Sequence, residues 1–267
     1  MLRILPALGI ALLCSALPGA AVSAQTDYRN LDDERPVLTE DAYPIEHRAI
    51  ELMAPFTFER HGGRGALEFN PEVMWGALGN LMVGAKLPFV LQRDDVVDDL
   101  RLAGPRLFVL ANLNTESPWL PALSVRADVA VPGGAAGGDG TVVALKGIAT
   151  RSWGTWRAHV NGIRTLGDAE NAPAADAPPR WAATFAVDRT LWRHSLLLIG
   201  EVVAAEPLEA ERTDWRAGIG MRWQATPTLV LDLGGFRRLS REGADLGLTL
   251  GLSHAFALAA MMPGGAR

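Results

Sequence analysis

The stretch "ADLGLTLGLSHAF", residues 244–256, decides the fold because it places a leucine at every second position. The leucines are Leu246, Leu248, Leu250 and Leu252, and the residues between them are small or polar. Successive side chains of an extended strand point to opposite faces, so one face of this strand is hydrocarbon and the other is small and polar. A soluble sheet has the same alternation, so the rest of the chain has to show what each face contacts.

The same alternation recurs along the chain and predicts twelve strands, with no convincing amphipathic helix between them. The predicted strands cover residues 50–59, 67–77, 80–91, 104–114, 119–131, 141–152, 155–166, 181–188, 195–205, 214–224, 228–239 and 244–256. The connections between them alternate in length, with longer loops at 61–65, 92–103, 132–140, 167–180 and 206–213. Alternating short turns and long loops are typical of an up-and-down barrel whose two ends face different compartments.

The first 24 residues are predicted to be a secretory signal peptide of the Sec type. Arg3 supplies the positive start, residues 4–21 are apolar, and Val22-Ser23-Ala24 forms a small-residue cleavage site before Gln25. An uncleaved membrane anchor and lipoprotein processing at Cys14 are the alternatives. Cys14 is the only cysteine of the 267 residues, so the mature chain would hold no disulfide, thiol catalyst or thiolate metal site.

The composition is that of a globular chain, with 49% hydrophobic and 21% charged residues and a net charge of −5. No basic surface for nucleic acid is implied. No later apolar run approaches the roughly 18 residues of a membrane helix, so any contact with a membrane core would be made by strands.

Three features favour a lipid-facing barrel over a soluble one: the export signal, the strand length and the tryptophans. Strands of about 11 to 14 residues exceed the mode of about five or six in globular proteins and suffice to cross a bilayer when tilted. Tryptophans beside strand ends are typical of an interfacial aromatic girdle. The predicted girdle consists of Trp153, Trp156, Trp181, Trp192, Trp215 and Trp223.

We therefore expect an all-β, antiparallel, transmembrane up-and-down β-barrel of about twelve strands over residues 45–260, in contact with outer-membrane lipid. A flexible acidic tail, residues 25–44, would precede it, and a short tail, residues 261–267, would follow it. The sequence leaves open whether the acidic tail enters the lumen as a plug.

Charged side chains on the polar face of the strands are the candidate functional residues. Charges that line a pore set ion preference and steer solutes. The alternative is that opposite charges pair across a narrow, filled interior. The lumen-facing candidates are Glu51, Glu59, Glu68, Glu72, Lys86, Arg126, Lys146, Arg157, Arg216 and Arg222.

Catalytic and metal-binding patterns are weak. Ser253 and His254 are adjacent, so their side chains point to opposite faces and cannot pair within one strand. His159 and Asn161 share the inner face, but no serine lies beside them in the sequence. No zinc-protease, phosphate-loop or EF-hand spacing occurs, and no cofactor is expected.

Several stretches resemble a known family. They are "TEDAYPIEHRAIELMAPF" (39–56), "LEFNPEVMWGAL" (67–78), "LMVGAKLPFVL" (81–91) and "LPALSVRADVAVPGG" (120–134). They are similar to the outer-membrane transporters grouped under the meta-pathway of phenol degradation. The resemblance implies a barrel that passes small, often aromatic or hydrophobic, compounds, and it carries no catalytic set.

The last strand also resembles the C-terminal signal that the outer-membrane barrel-assembly machinery reads. Thr249, Gly251 and the aromatic Phe256 match that pattern, while His254 replaces its usual apolar residue and the chain continues to Arg267. The function expected from all of this is passive passage of small solutes. A structural or adhesive barrel without an open pore and a barrel enzyme acting on lipids are the alternatives.

Overall fold

A computed structural model describes residues 21–22, 27–61, 64–93, 98–167, 173, 177–191, 195–208, 211–240 and 245–258. The predicted leader, apart from Ala21–Val22, the predicted C-terminal tail and Trp192 lie outside this range. Within it the regular structure is entirely β-strand. No helix in the described ranges is long and apolar enough to cross a membrane.

Seventeen strand segments follow one another along the described ranges. They are β1 (Ala21–Val22), β2 (Ala49–Met53), β3 (Phe56–His61), β4 (Arg64–Phe69), β5 (Glu72–Leu78), β6 (Leu81–Lys86), β7 (Phe89–Arg93), β8 (Asp98–Leu102), β9 (Arg106–Asn114), β10 (Ala122–Ala130), β11 (Val142–Trp153), β12 (Trp156–Leu166), β13 (Trp181–Leu191), β14 (Leu196–Glu206), β15 (Asp214–Thr226), β16 (Leu229–Arg238) and β17 (Leu246–Leu258).

These segments form a closed antiparallel barrel of twelve spanning strands. The first four spanning strands each consist of two segments, β2–β3, β4–β5, β6–β7 and β8–β9, and the remaining eight are continuous. The barrel closes where β17 pairs with β2 near Phe256↔Ile50 and with β3 near Leu248↔Phe58. The fold class and strand number expected from the sequence are confirmed.

Prolines interrupt the four two-segment strands. Pro55, Pro71, Pro88 and Pro105 each lie in the break, because proline has no N–H to donate to the ladder. Their carbonyls still accept hydrogen bonds from the next strand, as between Pro55 and the Asn70 amide at 3.2 Å. The breaks therefore lie side by side across neighbouring strands and the sheet stays continuous.

The two ends of the barrel differ. At the short-turn end, β11 and β12 are joined through Gly154, and β15 and β16 through residues 227–228. The long-loop end carries the connections 131–141, 167–180 and 207–213. The loop expected over 92–103 is shorter than predicted, because Asp98–Leu102 pairs with Phe89–Arg93 and extends that hairpin.

The outer face of the barrel is apolar and its inner face is small or polar. In β17 the leucines point outward, with Leu250 57% exposed, whereas Thr249, Gly251 and Ser253 are buried inside. Trp153, Trp156 and Trp223 lie at the short-turn end and Trp181 and Trp215 at the long-loop end. Four of these five are largely exposed, and Trp181 is half-buried with its Nε1 donating to Glu206 at 3.1 Å.

Residues 27–48, here named the plug segment, lie inside the barrel. Tyr28, Leu31 and Val37 pack against Leu197 and Ile199 of the wall. Ala42 and Ile45 belong to a second buried cluster formed with wall residues Met53, Met74, Met82, Phe108 and Leu110, among others. The structure thus differs from the flexible acidic tail expected here, because wall cations neutralise the acids that made the segment look soluble.

Candidate functional site: the barrel lumen

The ten charged residues predicted to face the lumen all lie on the inner face. Seven are buried, two of which, Glu51 and Arg157, line a cavity at the short-turn end, and Glu59, Glu68 and Arg216 line a smaller cavity nearer the long-loop end. The buried seven are Glu51, Glu72, Lys86, Arg126, Lys146, Arg157 and Arg222. The cations of this group contact mainly the plug segment and wall aspartates, rather than the glutamates of the first two spanning strands.

The first contact area joins Asp33 and Glu40 of the plug segment to three cations of the wall. Asp33 Oδ2 lies 3.8 Å from Lys86 Nζ and 3.6 Å from an Arg126 nitrogen, and Asp33 Oδ1 pairs with Lys146. Glu40 lies 2.8 Å from Arg126 and 3.0 Å from Lys146. Asp128 holds Arg126 in a forked contact with distances of 2.8 to 3.2 Å.

These contacts affect the two plug carboxyls in opposite directions. Burial would raise the pKa of Asp33, but Lys146, Arg126 and Lys86 outweigh it and hold that pKa well below its usual range. Burial raises the pKa of Glu40 above its ordinary value, although Arg126 and Lys146 oppose the rise. Asp33 is therefore the plug carboxyl whose ionised form the wall stabilises most clearly.

The second contact area surrounds Asp41. Asp41 Oδ2 lies 2.9 Å from Arg157, which also pairs with Asp188 at 2.7 Å. Burial raises the pKa of Asp41, against the opposing effect of Arg157. His159 Nε2 lies 2.9 Å from Asp188, and His159 Nδ1 lies 3.0 Å from the Thr150 hydroxyl.

Thr150, His159 and Asp188 stand in the order of a nucleophile, a base and an orienting acid. The Ala42 amide donates to Thr150 Oγ1 at 3.0 Å, the Thr150 hydroxyl is hydrogen-bonded to His159 Nδ1, and His159 Nε2 is hydrogen-bonded to Asp188. This chain of hydrogen bonds leaves the Thr150 oxygen covered by the plug segment. The arrangement therefore serves to hold Ala42 in this structure.

The third contact area is a buried cluster of four charges. Arg35 of the plug segment lies 3.1 Å from Asp232, and Asp32 lies 2.9 Å from Arg222. Arg35 also pairs with Asp32 at 3.4 Å and donates to Ser253 Oγ at 2.8 Å. Burial would lower the pKa of Arg35, but Asp232 and Asp32 outweigh it and raise that pKa.

The wall also binds the backbone of the plug segment. Glu201 accepts hydrogen bonds from the amides of Leu38 and Thr39, at 3.1 and 3.0 Å. Asn161 accepts from the Glu40 amide at 2.7 Å and donates to the Glu40 carbonyl at 2.8 Å. Wall side chains thus replace the ladder partners that a buried, aperiodic segment would otherwise lack.

Two glycines of the wall make room for the plug segment. A Cβ at Gly234 would lie 2.0 Å from the Pro36 carbonyl oxygen. A Cβ at Gly251 would lie 2.6 Å from an Arg35 guanidinium nitrogen and 2.3 Å from Asp232. Gly251, predicted as part of an assembly signal, has a local reason to be glycine in this structure. Phe256 lies on the half-buried outer side of β17, 6.2 Å from the His254 ring.

Two cavities flank the plug segment. The long-loop vestibule, about 80 Å³, is lined by Pro36, Leu38, Glu59, Glu68, Glu201 and Arg216, among others. The short-turn vestibule, about 640 Å³, is lined by Asp27, Arg29, Glu46, Glu51 and Arg157, among others. The plug segment lies between the two and occupies the middle of the lumen.

The described residues contain no group of three or more histidine, cysteine or acidic side chains arranged to hold a metal ion. The carboxylates of the lumen instead face guanidinium and ammonium groups. The wall of the lumen therefore forms ion pairs with charged side chains of the plug segment and accepts hydrogen bonds from its backbone amides.

Sequence reasoning missed the acidic half of the wall and the plug segment. Asp128, Asp188, Glu201 and Asp232 are all buried on the inner face of the wall. The sequence could have placed these acids on the inner face, since each lies at a polar position of the strand alternation. The plug segment has no periodicity, and its only signal was an acidic composition that complements basic positions of the wall.

The fold is similar to outer-membrane channels of known structure. The COG4313 outer membrane channel from Pseudomonas putida F1 superposes with a TM-score of 0.59 at 12% identity, covering 85% of this chain and 100% of that one. The NanC porin gives a TM-score of 0.51 and the KdgM porin 0.50, each at 7% identity, covering 77% of this chain and 98% of theirs. No protein-family model and no curated protein sequence matches the chain. These likenesses establish an outer-membrane barrel fold, and the phenol-degradation family assignment stays a prediction.

Proposed function

We propose that the chain is an outer-membrane channel for passive passage of small solutes, closed by the plug segment and opened when that segment leaves the lumen. The observation that carries the proposal is that the lumen is filled. The plug segment, which is not part of the wall, occupies it and is held there by ion pairs and hydrogen bonds. A purely structural barrel can fill its lumen with wall side chains alone.

The orientation follows from the unequal ends. Short turns of such barrels face the periplasm and longer loops face outward. The long-loop vestibule would then open to the exterior, and the short-turn vestibule to the periplasm. The apolar outer face, with Leu248, Leu250 and Ile219 largely exposed, supports contact with outer-membrane lipid. Substrates of an aromatic or hydrophobic kind rest on the family resemblance alone.

Two further partners belong to this proposal. The barrel-assembly machinery would read the last strand through Gly251 and Phe256, and a Sec leader ending at residue 24 would deliver the chain to it. Both fit a barrel whose final strand closes the sheet against β2 and β3.

A reversible lock tests the function on the full chain. The hydroxyls of Thr39 in the plug segment and Thr184 in the wall lie 2.9 Å apart. In a planar bilayer, T39C/T184C should be silent when oxidised and should show conductance steps after reduction. The single variants T39C and T184C are the matched controls and should ignore the redox state.

A second candidate is a barrel without a pore, favoured by the density of ion pairs in the lumen. It predicts silence from the reduced double variant and from a chain lacking residues 27–46, while heat-modifiable migration shows that both are folded. That result would overturn the channel. Ester or phospholipid hydrolysis by the purified chain, lost in T150V, would instead support the enzyme alternative.

A further inference from the structure

Two charged wall residues face each other across the ladder but pair with the plug segment. Arg222 of β15 and Asp232 of β16 are register partners, and both are buried on the inner face. Arg222 Nη1 lies 2.9 Å from Asp32, and Asp232 Oδ2 lies 3.1 Å from Arg35. Opposite charges at facing positions of neighbouring strands can pair with each other, since their Cβ atoms lie about 4.5–5.5 Å apart. The plug segment therefore separates two residues that could form an ion pair within the wall.

Both wall residues keep polar atoms available for each other. Among the described residues, Arg222 Nε and Nη2 and Asp232 Oδ1 have no hydrogen-bond partner. The Asp232 carboxylate lies over Gly251 of β17, where a Cβ would be 2.3 Å from Asp232 Oδ1. Since β15 and β17 flank β16 on opposite sides, the carboxylate has to turn toward β15 to meet Arg222. A change of side-chain rotamer makes that movement without any change of register.

The plug segment carries a matching pair of its own. Asp32 Oδ2 lies 3.4 Å from Arg35 Nη2, and the Arg35 amide donates to the Asp32 carbonyl at 3.1 Å. These contacts are local to the segment, so they can travel with it. The four charges thus divide into one acid and one base in the wall and one acid and one base in the plug segment.

We infer that the four charges switch partners when the plug segment leaves the lumen, so that Arg222 pairs with Asp232 in the wall and Arg35 keeps Asp32 in the segment. This inference rests on the proposed function and names how the closed state is released. A buried charge that loses its partner is strongly destabilising. The partner switch lowers that cost, because opening leaves neither Arg222 nor Asp232 alone in the emptied wall.

A further wall carboxylate lies close enough to compete for Arg222. Glu51 of β2 interacts electrostatically with Arg222 and Arg35, and its Oε1 has no hydrogen-bond partner in the described part of the chain. Glu72 acts on Arg35 in the same way. The attraction between Glu51 and Arg222 already exists while the plug segment is in place. Asp232 is the better new partner, because β16 is a ladder neighbour of β15 and β2 is not.

Double-mutant cycles on the full chain test the partner switch, because they isolate the energy that two side chains share. The quantity measured is the ratio of open to closed time in a planar bilayer. R222Q and D232N each remove one contact of the closed state and the shared contact of the open state, so each alone should change the ratio little. R222Q/D232N removes both closed contacts but only one open contact. Its effect should exceed the product of the two single effects severalfold.

Two other pairs should behave differently. Arg35 and Asp232 touch in the closed state, so the effect of R35Q/D232N should fall below the product of its single effects. Arg157 contacts Asp41 and Asp188 in another part of the lumen, so R222Q/R157Q should equal the product. Heat-modifiable migration shows that each variant is folded. R222M, D232L and their double repeat the first cycle with apolar side chains, which need no partner when buried.

Hydrogen exchange of the Thr39 and Glu40 amides follows release of the plug segment without conductance, because these amides bond to Glu201 and Asn161 of the wall. An R222Q/D232N effect equal to the product in both measurements would overturn the inference and leave the channel standing. An excess in R222Q/E51Q, with none in R222Q/D232N, would overturn the pairing with Asp232 by assigning Arg222 to Glu51. Silence of the reduced T39C/T184C variant, with the excess retained in hydrogen exchange, would remove the channel and support the partner switch.

Discussion

Arg35 of the plug segment lies 3.1 Å from Asp232 of β16, and neither side chain is more than 1% exposed. Taking two charges out of water is costly, and the pair recovers that cost only while both partners are present. The closed state of the lumen therefore depends on contacts that are sensitive to the loss of either partner.

Removing one partner of this pair should release the plug segment. Arg35→Ala leaves the Asp232 carboxylate without its guanidinium, at a cost of about 3–5 kcal/mol if it stays buried. Open probability in a planar bilayer should rise strongly for Arg35→Ala. Arg238→Ala is the control, because Arg238 pairs with the half-exposed Asp245, and an exposed pair contributes only about 0–1 kcal/mol. Equal open probabilities for the two variants would contradict the prediction.

Crowding the path of the plug segment should have the same effect. Gly234→Ala places a Cβ 2.0 Å from the Pro36 carbonyl oxygen, which the backbone has to avoid by moving. Overpacking of this kind costs about 1–3 kcal/mol, so the closed state should lose occupancy. Gly200→Ala is the matched control, since its Cβ would meet nothing within 4 Å. Single-channel records of the two variants measure the difference.

Removing the Thr150 hydroxyl should loosen the plug segment locally. Thr150→Val keeps the shape but leaves the Ala42 amide and His159 Nδ1 without their partner. An unsatisfied buried group costs about 1–3 kcal/mol, so exchange of the Ala42 amide should accelerate. Thr155→Val, at the exposed β11–β12 turn, should leave that exchange rate unchanged. Unaltered protection of Ala42 in Thr150→Val would show that Thr150 does not hold the segment.

The stabilisation that Asp33 gives to the closed state should persist at acidic pH. Its pKa is depressed in the closed state, so its stabilisation is present above the ordinary value of 3.8 and is lost only as the pH falls through the depressed value. Asp33→Asn should therefore raise open probability by the same factor at pH 7 and at pH 4.5. A factor that shrinks between these two pH values would mean that the wall does not hold Asp33 ionised.

The outer face can be tested by its tolerance of charge. Leu250 lies near the middle of β17 and points outward, whereas Leu239 follows the end of β16 at the long-loop rim. An arginine costs about 2–4 kcal/mol at the bilayer midplane and about 0–1 kcal/mol near the interface. Urea titration of the chain folded in liposomes should show Leu250→Arg destabilised far more than Leu239→Arg. Equal effects would contradict a lipid-facing band.

The sequence predicted which side chains of the barrel wall face inward, but not which residues of the plug segment they contact. The alternation in β17 assigned Leu250 outward and Gly251 inward, because the period of a strand determines the face of each residue. The same rule put Lys86, Arg126 and Lys146 inside. It carries no information on what those cations contact, since Asp33 and Glu40 lie in a segment without a period.

The alternation of apolar and polar residues also predicts neither the register between strands nor the breaks within them. The proline breaks at Pro55 and Pro71 leave the alternation readable on each side, so the sequence showed single strands where the structure has two segments. Asp232 was missed because a lone acid at a polar position looks like any other solvated residue. Its role becomes visible only when Arg35, far away in the sequence, is placed beside it.

The path of the plug segment determines how the lumen can empty. Asp27, Arg29 and Glu46 line the short-turn vestibule, whereas Pro36 and Leu38 reach the long-loop vestibule. The segment is thus a doubled-back loop that enters and leaves through the same rim, and Ala49 anchors it there. Such a loop can retract toward its anchor without unthreading and without breaking a single rung of the surrounding ladder. In the proposed channel, the lumen would then empty by withdrawal of this loop toward Ala49, and the same residues would return to the same contacts when it closes.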